Sequence, residues 1–278
     1  MNHNNDIPKI SDLRLLDIDV DREWAKFSAN AGIKEGKVFR LSTFWKAAAS
    51  IVLIIGAGLI AYSHLSTPKT ETHVASQEAI EATVETSTQI SLNRNSRITC
   101  TDNRKNGSYN VHLEGEAYFD VEKNPQRTFL IDTKNVTVTV RGTSFDVCEE
   151  SDKTTVTVTS GNVEVTNHAD NQTIGNLTRG KQLVCHADGK MEVSDVDNFN
   201  CIAWKLRKLE FNDQTVEEIM QQLAKAYNIR YQIADDVRDA KLTGTFEQQD
   251  VEAVLNVIEQ ALDLSIAQDA DGTWQIGK

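Results

Sequence analysis

An uncharged apolar run from Ala47 to Tyr62 (AAASIVLIIGAGLIAY) divides this chain into a short N-terminal part and a long C-terminal part. Extended to residues 44–65, the run covers roughly 22 residues, which as a helix would span about 33 Å, against about 30 Å for the hydrocarbon core of a bilayer. Lys46, near the N-terminal end, is the one charged residue in this window. The run therefore predicts a single-pass membrane protein with its transmembrane helix over residues 44–65.

Basic residues near the run predict its orientation. Five of them precede it closely, whereas Lys69 alone follows within about twenty residues, and positively charged flanks favour the cytoplasmic side. The N-terminus is thus expected in the cytoplasm and the C-terminal bulk in the periplasm. A cleaved signal peptide is the alternative, but it requires a short basic leader and a shorter apolar segment.

Charge and cysteine placement differ between the two parts. The chain has a net charge of −12, nearly all of it beyond the apolar run, which argues against nucleic acid or anionic lipid as a partner. All four cysteines, Cys100, Cys148, Cys185 and Cys201, also follow the run, in a compartment that permits disulfides. The four cysteines could form disulfides in three different pairings, or they could be buried free thiols, and the sequence does not choose among these possibilities. Without CxxC spacing or a histidine cluster, neither a metal site nor a cofactor is expected.

Residues 1–43 are too few to bury a core of their own. One short amphipathic helix is predicted from Asp21 to Ala31, with Trp24 and Phe27 three residues apart on one face. Leu15 and Leu16 add apolar surface upstream. Exposed aromatic and leucine side chains in a small segment indicate docking to a partner, and a tail that only lies on the membrane is the alternative.

Beyond the membrane the pattern changes twice. Residues 66–88 are rich in Thr, Glu and Ala, which predicts a stalk that is partly helical around Ala75–Val84. Residues 89–198 alternate apolar and polar side chains, as in Val136–Val140 (VTVTV), which is typical of half-buried antiparallel strands. An all-β domain, such as a sandwich, is therefore expected there.

Residues 204–278 contain an internal repeat. Eight apolar residues recur at a constant offset of 35, beginning with Phe211 and Phe246, and the middle residues of each copy form the apolar stripe of one helix. Thr215 with Glu218 forms a capping box for the first helix, and Asp250 caps the second. Short β-patterned segments flank both helices, so the repeat predicts a small α+β domain of two βαβ-like halves.

Enzymatic chemistry is not indicated. Gly175-x4-Gly180-Lys181 resembles a phosphate-binding loop, but Gln182 follows instead of Ser or Thr, and the segment continues into a strand pattern. The chain has no GxSxG, HExxH or GxGxxG motif. It is therefore not expected to be an enzyme.

Several spaced motifs resemble the FecR domain. They are Leu113–Val121 (LEGEAYFDV), Phe129–Ile131, Gly142–Val147 (GTSFDV) and the valines and glycine of Val158–Val165. Trp204 with Leu209-x-Phe211 and the doubled unit resemble the C-terminal domain of Bacteroidetes-type members of that family. The segment around Glu85 departs from the family's usual Asp-Gly-Ser.

The resemblance implies a transmembrane anti-sigma factor that relays a signal from an outer-membrane TonB-dependent receptor to an extracytoplasmic-function sigma factor. It places sigma binding on the tail, around Leu15, Leu16, Trp24 and Phe27. Contact with the receptor's signalling domain falls on the C-terminal unit, with Leu209, Phe211, Tyr231 and Phe246. The transported ligand is left open among iron chelates, haem and glycans. A cell-envelope scaffold without a sigma partner is the alternative.

Some members of that family cleave themselves at a Gly-Thr bond. Gly142-Thr143 is the matching bond, with the Thr143 hydroxyl as the attacking group. The structural interpretation is preferred to cleavage: Gly142 permits a bend and Thr143 begins a strand.

Overall fold

Two seven-stranded sheets around one apolar core make up the larger part of this computed structural model. The structure describes residues 19–32, 52–60, 69–84, 88–103 and 106–278. The chain divides into two units, Met1–His64 and Leu65–Lys278.

The described part of the first unit is helical. Helix α1 spans Val20–Asn30, close to the predicted bounds, and α2 covers residues 52–60. Within the described residues, no helix has the length and apolar character needed to cross a membrane. Most of the predicted transmembrane segment, residues 44–65, lies outside the described residues, so the single-pass topology stays a prediction.

The second unit begins with fourteen strands that confirm the predicted β domain. Sheet A has the order β1-β4-β5-β7-β8-β11-β12, and sheet B has the order β14-β13-β10-β9-β6-β3-β2. The strands are β1 Lys69–Ala75, β2 Ile80–Val84, β3 Thr88–Leu92, β4 Ser96–Asn103, β5 Ser108–Glu114, β6 Glu116–Val121, β7 Thr128–Asp132, β8 Val136–Val140, β9 Thr143–Glu149, β10 Lys153–Ser160, β11 Asn162–Asn167, β12 Thr173–Thr178, β13 Lys181–His186 and β14 Met191–Asp195.

The core of this sandwich follows from the period-two pattern. In β8 every second residue is buried, and β10 places Val156 and Val158 in the same interior. At the centre, the rings of Phe119 and Phe145 stack with centroids 5.2 Å apart, and neither side chain is exposed. Residues of both sheets belong to this one cluster, so the two sheets are held together by apolar burial.

The expected partly helical stalk is wrong for the described residues of segment 66–88. Residues 69–75 form β1 and residues 80–84 form β2, at the edges of sheets A and B. Ala75, Ala82 and Val84 are buried, and β1 pairs antiparallel with β4 along its whole length. The polar composition reflects edge strands with one solvated face, a pattern that local sequence does not separate from a stalk.

The C-terminal domain follows after a short helical connection. A 3-10 helix covers Asn200–Ile202, and α3 covers Ala203–Leu206. The elements after them are β15 Lys208–Thr215, α4 Val216–Tyr227, β16 Arg230–Ile233, β17 Lys241–Glu247, α5 Val251–Leu262, β18 Ser265–Gln268 and β19 Thr273–Gly277.

The element order matches the predicted repeat, but strands pair between the halves rather than within them. The first strands of both halves, β15 and β17, form an antiparallel pair. The second strands, β16 and β18, flank β19 in a separate three-stranded sheet. Helices α4 and α5 contribute the apolar stripe of each copy to one shared core.

The repeat extends to the backbone. Asp213 and Gln248, and likewise Asn228 and Asp263, have positive φ angles between 51° and 57° at the same offset of 35 residues. The first pair lies just before each helix, and the second pair ends each helix in a left-handed cap. The two halves are therefore equivalent in conformation as well as in hydrophobic pattern.

The capping box of α4 gives a first testable prediction. The Thr215 hydroxyl accepts a hydrogen bond from the Glu218 amide at 3.2 Å, and the Glu218 carboxylate accepts one from the Thr215 amide at 2.9 Å. Replacing Thr215 with alanine is expected to lower the free energy of unfolding of this domain by about 1 kcal/mol. Urea unfolding followed by helical circular dichroism measures the change. Gln221→Ala, at an exposed position of the same helix, is the control and should be nearly neutral.

Candidate partner-binding surfaces

Helix α1 is formed by local capping and charge. The Asp19 side chain accepts a hydrogen bond from the Arg22 amide at 3.1 Å, which satisfies one free donor of the first turn. Glu23 and Lys26 form an ion pair at 2.7 Å one turn apart. Gly32, just past the end of the helix, has a φ of 62°. These local interactions explain why the segment is helical although none of its residues is buried.

Trp24 and Phe27 form an exposed aromatic pair on α1. Their ring centroids are 5.8 Å apart, and the residues are 61% and 58% exposed. The other two residues predicted to bind a sigma factor, Leu15 and Leu16, lie outside the described residues. An uncovered aromatic pair is suited to inserting into an apolar groove of a partner.

The residues predicted to contact a receptor hold the C-terminal domain together. Leu209, Phe211 and Phe246 are buried in its core, and Tyr231 is half-buried at the edge of that core. The rings of Phe211 and Phe246 meet at 5.7 Å. These side chains therefore shape the domain from within, and their role towards a receptor stays a prediction.

The edge strands of the C-terminal domain differ in whether their backbone groups are free to pair with a further strand. At Glu210 in β15, the side-chain amide of Asn200 donates to the Glu210 carbonyl at 2.7 Å and accepts from its amide at 2.8 Å. Asn200 thereby occupies backbone groups that a further strand would use. Strands β16 and β18 form the two edges of the three-stranded sheet. No sequence motif marks Asn200, because an asparagine before a strand has many ordinary roles.

The Gly142–Thr143 bond lies at a tight crossing in the sandwich. Gly142 has a φ of 135°, and a Cβ atom there would lie 2.5 Å from the Lys123 Cα atom. The Thr143 hydroxyl donates to the Asn162 carbonyl at 2.8 Å, and the residue is buried. This environment accounts for both residue types structurally. Self-cleavage at the bond stays a prediction.

A charged cluster lies where the C-terminal domain covers the outer face of sheet B. Lys225 of α4 reaches the buried carboxylate of Glu116 on β6, with Nζ 3.4 Å from Oε1. The other oxygen of Glu116 accepts from the Asn93 amide group at 2.7 Å. Asp146 lies nearby on β9 and is buried. The Arg94 guanidinium donates to the backbone carbonyl of Lys225 at 3.2 Å.

All four cysteines are free thiols in the structure. Cys100 and Cys185 are buried in the sandwich core, whereas Cys148 and Cys201 lie at the charged cluster. Burial raises the pKa of Cys148 to about 12 and that of Cys100 to about 11, so both remain protonated thiols at neutral pH. Within the described residues, no group of three or more His, Cys, Asp and Glu side chains is arranged to hold a metal ion.

Comparison with solved structures shows the same fold in a bacterial protein. Two crystal structures, at 2.50 and 1.65 Å resolution, are described as a "putative anti-sigma factor" from Parabacteroides distasonis. Each is 23% identical to this chain with a TM-score of 0.55. The matches cover 76% and 75% of this chain and 99% of the other chain. No curated protein matches the sequence.

Family models match both parts of the second unit. The model described as FecR protein matches residues 70–164, and the model described as FecR, C-terminal, matches residues 208–273. The first match begins within β1, in agreement with the correction of the predicted stalk. Together the two models cover more than half of the chain, in the order that the resemblance implied. The chain belongs to the FecR family, with a FecR domain followed by a FecR C-terminal domain.

Proposed function

We propose that this protein is a single-pass anti-sigma factor of the cytoplasmic membrane. In this role the N-terminal tail binds an extracytoplasmic-function sigma factor in the cytoplasm. The C-terminal domain receives a signal in the periplasm from the signalling domain of an outer-membrane TonB-dependent receptor. FecR family membership and the description of the P. distasonis protein support the regulatory role.

The exposed aromatic pair is the observation that carries the sigma-binding part. A short helix with no buried residue gains little from presenting Trp24 and Phe27 to water, because burying each ring is worth about 2 kcal/mol. Binding to an apolar groove of a partner would recover that free energy. Because the net charge of the chain is −12, a protein partner fits better than nucleic acid.

The receptor-sensing part is assigned to the strand edges of the C-terminal domain. Since Leu209, Phe211 and Phe246 are internal, a receptor would contact this domain through its surface and backbone. Of the edges described above, β16 borders a sheet and can pair with a strand of another protein, whereas at β18 the Ile266 amide already donates to the Glu259 carboxylate at 3.0 Å.

Replacing both aromatic residues tests the proposal. Trp24→Ala with Phe27→Ala in the full chain is expected to reduce capture of an extracytoplasmic-function sigma factor by at least tenfold, because roughly 3 to 4 kcal/mol of apolar burial is lost. Affinity capture from detergent-solubilised cells, with the sigma factor quantified by mass spectrometry, measures the effect.

The matched control is Arg22→Ala, which removes an exposed side chain on the opposite face of the same helix. It should retain capture. If the wild-type chain captures no sigma factor, and deleting residues 1–43 leaves transcription of every transporter operon unchanged, the anti-sigma role is wrong. The protein would then be a cell-envelope scaffold.

A further inference from the structure

Polar contacts join the sandwich to the C-terminal domain. The apolar core clusters of the two domains have no residue in common. Besides the Lys225–Glu116 pair, Lys205 of α3 pairs with Glu81 of β2 at 2.7 Å. Polar interfaces between domains resemble those of proteins that associate transiently. This junction is therefore suited to opening without unfolding of either domain.

Two carboxylates lie buried at the junction. Glu116 and Asp146 occupy neighbouring strands of sheet B and are 8% and 3% exposed. Both point away from the sandwich core, to the face covered by the C-terminal domain. Glu116 has Asn93 and Lys225 as partners, as described above. The Oδ1 atom of Asp146 is buried without a hydrogen-bond partner in the described structure.

The charges around Asp146 do not balance when both carboxylates are ionised. Lys225 is half-exposed and already pairs with Glu116. Thr157 on β10, which lies opposite Asp146, and Gln182 on β13 are neutral. The titratable and charged groups facing Asp146 are Glu116 and Tyr118 of β6, Cys148 of β9, Cys201 of the 3-10 helix, Lys225 of α4 and, beside Lys225, Arg94. A second buried carboxylate without its own cation is costly, and a proton removes that cost.

We propose that the junction is a proton-linked latch. A proton on the buried Asp146 carboxyl group, beside the Glu116–Lys225 pair, keeps the C-terminal domain docked on sheet B, and its loss releases the domain. This inference concerns contacts within the chain and does not depend on which partners the protein binds.

The electrostatics of the cluster agree with this assignment. Burial, and then the neighbouring Glu116 carboxylate, raise the pKa of Asp146 well above its usual range, while Lys225 acts in the opposite direction. Burial opposes the charge of Lys225, but Glu116 and the other acidic groups raise its pKa, so the lysine stays charged. The proton that the latch loses is therefore that of Asp146.

The sign of the pH dependence follows from linkage. In the docked state Asp146 is protonated at pH values where an exposed aspartate, with a pKa of about 3.9, is ionised. Docking therefore takes up a proton. It is fully favoured below that ordinary value and weakens by up to tenfold per pH unit as the pH rises towards the raised pKa.

Thiol labelling of the purified, reduced full chain tests the latch. Cys148 and Cys201 are half-buried at the junction, so a bulky polyethylene-glycol maleimide would reach them faster when the junction opens, whereas the buried Cys100 and Cys185 in the sandwich core report global unfolding. Each rate is divided by the rate for the same cysteine in the unfolded protein at the same pH. As the pH is raised from about 5.5, the ratio at the junction is expected to rise by up to tenfold per pH unit until the raised pKa of Asp146 is passed, while the core ratio stays flat.

Three variants complete the experiment. Asp146→Asn keeps the shape of the side chain but removes its titratable proton, so it should abolish the pH dependence of labelling at the junction. Asp152→Asn, at an exposed loop position, should behave as wild type. Lys225→Met should accelerate labelling at the junction at every pH. Equal ratios for all four thiols in the wild-type chain, or the same pH slope in Asp146→Asn as in wild type, would overturn the latch.

Discussion

Replacing Phe119 with alanine is expected to lower the free energy of unfolding of the sandwich by about 3 to 5 kcal/mol. The ring lies between the two sheets, is fully buried and stacks on Phe145. Its removal deletes apolar burial and leaves a cavity that strands on both sides cannot close without breaking their pairing. Such a loss is a large share of the total stability of a domain.

Urea unfolding of the full chain, followed by far-ultraviolet circular dichroism, measures this effect. The sandwich and the C-terminal domain can unfold in separate transitions, so the sandwich transition is the one compared. Phe119→Leu, which fills most of the space, is the matched control and should lose about 1.5 kcal/mol. A loss below about 1 kcal/mol for Phe119→Ala would contradict the position assigned to this ring.

Replacing Gly142 with alanine is expected to destabilise the sandwich by roughly 3 kcal/mol. The glycine has a φ of 135°, which an alanine adopts only with strain. The added Cβ atom would also lie 2.5 Å from the Lys123 Cα atom, and backbone atoms cannot move aside as a side-chain end can. The same unfolding measurement gives the change.

Gly175→Ala is the matched control for Gly142→Ala. Gly175 lies in β12 of the same sandwich, and an added Cβ atom would meet nothing within 4 Å. Its replacement should be neutral or slightly stabilising, because alanine restricts the unfolded chain. Equal stabilities of the two variants would show that Gly142 is not conformationally required. The glycine of the Gly142–Thr143 bond would then need an explanation other than structure.

Local patterns determined most of the predicted elements. The alternation in Val136–Val140 predicted a strand, and the caps at Thr215 and Asp250 were predicted from neighbouring residues alone. These features depend on interactions a few residues apart, so a single sequence contains the relevant information. The 35-residue repeat is likewise visible in the sequence, since the apolar residues of both copies pack into the same core at equivalent positions.

Which distant segments pair as neighbouring strands could not be predicted from local sequence patterns. Segment 69–75 is polar at five of its seven positions, and it is a strand because β4, more than twenty residues away, pairs with it. The two halves of the C-terminal domain also exchange strand partners, which their internal pattern does not specify. A period in the sequence fixes which face of a strand is apolar, but not which strand lies beside it.

The sequence by itself determined the apolar run, the β domain, the doubled unit and an aromatic pair on a short helix. Only the tertiary structure decided that Glu116 and Asp146 are buried. Their motifs, EAYFDV and TSFDVC, place these acidic residues on the polar face of each strand, where a single domain would leave them in water. They are buried because the C-terminal domain, with Lys225, packs on that face, and contact between domains depends on surfaces far apart in the chain.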